Sequence, residues 1–105
     1  MLIKNRHLKS EAKIDSIENI KILRSALKHG LSEEDILYAY DTYYEYAIVK
    51  KSGNVNCTIE CLIGMLPNGN TCELMASASY DEKSIVIFHA KQPPSKDFMK
   101  HFRKR

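Results

Sequence analysis

Apolar positions recur along this chain with two different periods, and the change of period divides it. Ile17, Ile20, Leu23 and Leu27, with Ala26 alongside, fall three to four residues apart, which predicts a helix over residues 15–29. Asp15 and Glu18 have the form of a capping box at its start. Lys28 and His29 followed by Gly30 have the form of its end, cations near the negative pole and then a left-handed stop. Ser32 predicts the N-cap of a second helix, with Glu33, Glu34 and Asp35 in its first turn and Leu31 placed to staple onto Ile36. Ile36, Leu37 and Tyr40 form its expected inner face. A helix–Gly–helix hairpin follows from these signals. Residues 1–12 show no firm pattern and read as an arm or a short helix.

After Tyr44 the period falls to two. Residues 44–50 are β-prone, and Ser52-Gly53-Asn54 reads as a turn. The next two strands form a hairpin around Asn68-Gly69. With a two-residue turn there, Met65 faces Cys72, Ile63 faces Leu74 and Cys61 faces Ala76, all on one apolar face, while Glu60 and Glu73 fall on the other. Residues 80–83 make a further turn, and residues 85–90 the last strand. Pro93-Pro94 stops it, Ser95 can cap, and Phe98, Met99 and Phe102 suggest a short terminal helix with a basic outside.

The last strand carries His89 and Lys91 at its end, and two registers are open. If Ala78 faces Val86, then Val86, Phe88 and Ala90 point into the core, and His89 and Lys91 stand on the opposite, open face with Glu73 and Ser77. If Ala78 faces Ile85, His89 turns to the helix-covered side as a hydrogen-bonded structural residue. Ile85 and Ile87 are as apolar as Val86 and Phe88, so the pattern alone does not choose. The expected fold is α+β: a helical hairpin, then an antiparallel β-meander of about four strands, then a short C-terminal helix, as a single domain over residues 1–105.

Composition narrows the picture. The 105 residues are 44% hydrophobic and 28% charged, ordinary for a globular domain with one modest core. No stretch approaches the roughly 18 to 20 apolar residues of a membrane span. The opening MLIKNRHLKS has no apolar h-region, so a cytoplasmic location is expected. The net charge of +3 is uneven. Residues 1–13 carry four Lys/Arg against one Glu, residues 96–105 carry five against one Asp, and residues 31–49 carry five carboxylates and no Lys or Arg. Basic ends suit a polyanion or simply solvent. Cys57, Cys61 and Cys72 are odd in number with no C-x-x-C pair, and the four histidines show no zinc spacing, so buried reduced thiols are expected and neither metal nor cofactor. Five of the six tyrosines fall between Tyr38 and Tyr46, where they can stack RNA bases or line the edge of the core.

The segments LKHGLSEEDILYAY, CLIGMLPNGNTCELMASAS and IVIFHAKQPPSKDF together resemble the BrnT-like members of the RelE toxin superfamily. The resembling marks are Lys28-His29-Gly30 between two helices, Ser32 opening the second, Ile63-Gly64 in a strand, an Asn-Gly turn, and a last strand ending in a His-Ala step. The resemblance spans roughly residues 22 to 98. It implies a RelE-like fold and the toxin of a type II toxin–antitoxin pair: a metal-independent ribonuclease or translation inhibitor with a cognate antitoxin as partner and RNA or ribosome-associated mRNA as target. The chain departs from the pattern in having no tryptophan, and in having Pro93 and Pro94 where many relatives carry an arginine.

Cleaving RNA without a metal needs a base for the 2′-hydroxyl, a cation for the charged phosphorane and an acid for the leaving oxygen. His89 is the candidate acid/base, and Lys91, two residues on, shares its face on a regular strand. Lys28, His29, Lys96 and Lys100 are candidate RNA contacts. His29 is equally explained by the helix dipole, and the basic tail by solvation. The alternative is a non-catalytic binding or regulatory module on the same fold. A small-molecule enzyme finds no Gly-rich phosphate loop, metal cluster or nucleophile triad.

Overall fold

The computed structural model describes residues 19–51, 57–79 and 82–102. Their core is a five-stranded sheet in the order β1-β5-β4-β3-β2. The strands are β1 (Asn19–Ile22), β2 (Glu45–Lys51), β3 (Cys57–Met65), β4 (Thr71–Ser79) and β5 (Ser84–Lys91). Helix α1 (Arg24–Leu27) is a single turn, α2 (Glu33–Asp41) is the longest helix described, and α3 (Lys96–Met99) runs on into a tighter turn, Lys100–Phe102. No described helix is long and apolar enough to cross a membrane.

This corrects the expected α+β fold. In place of a helical hairpin followed by a four-stranded RelE-like meander, the chain forms a mixed α/β sheet with small helices, and β1 pairs in parallel with β5. The expected helix over residues 15–29 is, where described, a strand and one turn. Ile20 belongs to the helical stripe, but with Ile22 it also has a period of two, and the pair stands opposite Ile85 and Ile87. Those partners lie more than sixty residues away, so no local signal announces the pairing. The Asp15–Glu18 capping box, the 1–12 arm, the Ser52-Gly53-Asn54 turn and the first half of the 80–83 turn lie outside the described residues.

Helix α2 forms as its sequence dictates. Ser32 Oγ accepts from Asp35 N–H and the Asp35 carboxylate accepts from Ser32 N–H, a closed capping box. Leu31 is buried in the same cluster as Ile36, and Gly30 takes the expected left-handed φ of 93°. The inner face is Ile36, Ala39 and Tyr40, whereas Leu37 points outward at 40% exposure. The sheet buries both faces. One carries Leu62, Leu74, Ala76, Ile85, Ile87 and Ala90 against α1 and α2. The other carries Cys61 and Ile63 against Phe98 and Phe102.

The hairpin turn sets which residues share those faces. Gly69 N–H donates to Leu66 O and Leu66 N–H to Asn70 O, with Gly69 at φ 93°, so the loop has three residues, Pro67-Asn68-Gly69. The extra residue shifts the expected register by one. Gly64 now faces Cys72, Ile63 faces Glu73, Leu62 faces Leu74 and Cys61 faces Met75. Glu73 therefore lies on the face of Ile63, and Cys61 and Cys72 lie on opposite faces of the sheet.

Helix α2 sits directly on β3 where Gly64 leaves room. A Cβ at Gly64 would lie 2.1 Å from the Ala39 carbonyl oxygen. The Thr42 hydroxyl ties the same helix end to the strand, accepting from Met65 N–H and lying 2.9 Å from Tyr38 O. Gly64→Ala is expected to lower stability by about 3 kcal/mol in urea denaturation, because backbone rather than a flexible side chain must move.

Candidate active site at the end of strand β5

The end of β5 changes face through a bulge. Ala78 faces Ile85, Ser77 faces Val86 and Ala76 faces Ile87, but Met75 faces His89 and Glu73 faces Lys91, so Phe88 is passed over. Ile85, Ile87 and Ala90 are thereby all buried in the larger core. The register is the one that would turn His89 toward α1 and α2. The bulge reverses that, and places His89 and Lys91 on the face of Glu73 and Ser77. The carbonyl groups around the bulge are bonded from the start of α1: Leu23 N–H, just before the helix, donates to Ile87 O at 3.0 Å, and Ser25 Oγ within it to Phe88 O at 2.6 Å. Those bonds carry the Lys28-His29-Gly30 turn alongside the end of β5.

His89 Nε2 lies 2.6 Å from Glu73 Oε2. The His89 side chain is 26% exposed and that of Glu73 5%. Glu73 Oε1 accepts from Ser95 N–H at 2.7 Å, so each carboxylate oxygen has a donor, one from a strand neighbour and one from the start of α3. A carboxylate accepts only, which assigns the proton of neutral His89 to Nε2 and leaves a lone pair on Nδ1. Hydrogen bonding to a buried carboxylate also fixes the ring's orientation.

The His29 ring meets His89 edge-on, centroids 5.8 Å apart, and the Phe98 ring lies tilted 6.4 Å from it. His29 itself is exposed. Lys91 is half-buried and stands opposite Glu73 in the register. Lys28 is exposed beside His29, and Lys96 is exposed beside Ser95. Lys100 pairs with Asp97 at 3.4 Å on the surface, a contact of little energetic weight. His101 is exposed and lies edge-on to Phe98 at 5.6 Å. Of the sequence candidates, His29, His89 and Lys91 thus converge on the end of β5, while Lys28 and Lys96 flank it along the chain. Glu73 is the residue whose part was missed as His89's bonded partner. Its signal is a single charge inside the otherwise uncharged stretch TCELMASAS.

Among the described residues, no three His, Cys, Asp or Glu side chains are grouped to hold a metal ion. The thiols offer no ready nucleophile in the core. Burial first, then the charge of Glu73, pushes the Cys61 thiol up to about 11. Burial, then Asp35 and Glu73, pushes Cys72 to about 11 against a lowering hydrogen bond from the Gly64 backbone. Cys57 departs from the buried expectation, being half-exposed with Sγ 3.1 Å from Ser77 Oγ. No family model, curated protein or solved structure matches the chain.

A thiol whose folded pKa is raised contributes its full stability below the unfolded pKa and loses it as pH climbs toward the folded one. Between pH 9 and 11 the unfolded chain ionises Cys61 while the folded chain keeps it protonated. The stability of the native chain relative to Cys61→Ala should therefore fall by about 2 to 3 kcal/mol across that window, measured by urea denaturation.

Proposed function

We propose that this chain is an RNA-cleaving toxin of the BrnT-like kind, working without a metal and held in check by a cognate antitoxin in the cytoplasm. The observation that carries the reading is the His89–Glu73 pair with His29 against it, a base with a defined tautomer next to a second imidazole. The resemblance of the three segments adds the toxin assignment.

In this reading His89 Nδ1 removes the proton of an RNA 2′-hydroxyl, and the 2′-oxygen attacks the adjoining phosphorus. The bond from phosphorus to the 5′-oxygen breaks, and protonated His29 delivers a proton to that oxygen. The products are a 2′,3′-cyclic phosphate and a 5′-hydroxyl. Lys91 stabilises the charge on the phosphorane in place of an arginine. Glu73 is a positioning residue that holds the His89 ring. Lys28, Lys96 and Lys100 supply phosphate contacts.

The test is cleavage of a fluorescent RNA oligonucleotide by purified protein, with growth of a bacterial culture after induced expression as the second readout. Cleavage ending in cyclic phosphate is expected, reduced at least about 100-fold by His89→Ala and about tenfold by Lys91→Ala. Both substitutions should relieve growth arrest, with folding confirmed by circular dichroism. Glu73→Gln should lower cleavage and change its pH profile, which loss of structure alone would not do. Folded protein that binds the oligonucleotide and leaves it intact would establish the alternative, a non-catalytic binding module.

A further inference from the structure

Among the described residues, strand β2 closes one side of the sheet, pairing with β3 through one edge only. It is seven residues long, against the four described in β1 at the other side. Tyr46, Ile48 and Val49 on it are exposed, as is Tyr44 just before it at 57%. A long apolar edge is an invitation to pair with another strand unless something blocks it. The sequence of this one, EYAIVKK, begins with a carboxylate and ends with two lysines. In an antiparallel arrangement such a strand is complementary to itself.

The register follows from its irregularity. Ile48 faces Glu60 and Lys50 faces Ile59, so β3 passes over Val49. Consider a two-fold axis perpendicular to the sheet at Ala47, with Val49 passed over in the same way by the new neighbour. Ala47 then faces its own counterpart, Tyr46 faces Ile48 twice, and Glu45 faces Lys50 twice. The faces agree. Tyr46 and Ile48 are two apart on the strand, and the β3 partners of Glu45 and Lys50, Ile63 and Ile59, are four apart. With Val49 passed over in the same way, an axis at Ile48 sets Ala47 against Lys50 and Tyr46 against Lys51, and an axis at Tyr46 leaves Glu45 facing Ala47. Only the Ala47-centred register pairs both the exposed apolar residues and the opposite charges. Of the two lysines at that end of the strand, Lys50 then stands opposite Glu45 in the register. The Tyr46 hydroxyl is bonded to the buried Glu60 at 3.0 Å, which holds the ring in place at the edge.

We propose that this chain forms a two-fold dimer through β2, centred on Ala47, joining two five-stranded sheets into one. The inference is independent of the proposed chemistry, since the histidine site is on β5 and β2 stands at the far end of the strand order.

Sedimentation velocity on the full chain tests it, from about 1 µM to about 500 µM. A concentration-dependent monomer–dimer equilibrium is expected. Ile48→Lys should weaken it at least about tenfold by removing the apolar pair, and Glu45→Lys should do the same by facing Lys50 with a like charge. The double change Glu45→Lys/Lys50→Glu should restore association to within about threefold of the native chain, which no other register predicts. Circular dichroism on each variant separates lost pairing from lost folding. A folded chain that stays monomeric throughout overturns the proposal and leaves this edge for a strand of a different protein. A dimer indifferent to Ile48→Lys, or one that the charge exchange does not restore, overturns the interface.

Discussion

The carboxylate of Glu73 is nearly excluded from water and has one donor on each oxygen, His89 Nε2 and the backbone N–H of Ser95. A buried charge without such partners would cost several kcal/mol, so the environment of Glu73 constrains everything around it. One bond sets the orientation of the imidazole. The other holds the first residue before α3 against the sheet, and Ser95 in turn caps that helix through Phe98 N–H. Phe98 and Phe102 then close the second core over Cys61 and Ile63. The pair that could do chemistry is therefore also part of what keeps the C-terminal segment in place.

Two small backbone devices deliver Glu73 and His89 to the same place. The three-residue turn at Pro67-Asn68-Gly69 puts Glu73 on the face of Ile63, and the bulge at Phe88 puts His89 on that face as well. Removing either one would send one partner through to the other side of the sheet, because side chains alternate with a period of two. The bulge is bonded through Ser25 and Leu23 of the α1 region, which brings His29 within ring contact of His89. The helices here act less as a separate layer than as fittings around the end of β5.

The two sides of the sheet differ in character. At β5 the strand end carries His89 and Lys91 beside Glu73, with the His29 ring against His89. At β2 the edge is apolar with opposite charges at its two ends, suited to another strand. The tyrosines divide between these settings and the core: Tyr40 and Tyr43 pack on the larger core, and Tyr43 and Tyr46 lie 5.8 Å apart. That arrangement favours a role at the core edge over an exposed base-stacking platform.

Signals confined to a few neighbouring residues were legible in the sequence. Ser32 with Asp35, the left-handed Gly30, the Ser95 cap, the strands around the Asn-Gly turn, and His89 and Lys91 at a strand end all follow from short-range hydrogen bonding and from what proline and glycine permit. Cys61 and Cys72 were legible as core residues because apolar alternation marks burial. The tertiary structure decided the rest. Residues 19–22 became a strand because β5, distant in sequence, offers a parallel partner, and Ile20 continues the helical spacing toward Leu23 and Leu27 that masked the short alternation with Ile22. The hairpin register turned on one residue of loop length, and the face of His89 on one bulged residue. Such single-residue offsets leave composition and local propensity unchanged while exchanging the two faces of a sheet. The identity of the strands was therefore written in the local sequence, and the meeting of Glu73, His89 and His29 was settled only when the strands paired.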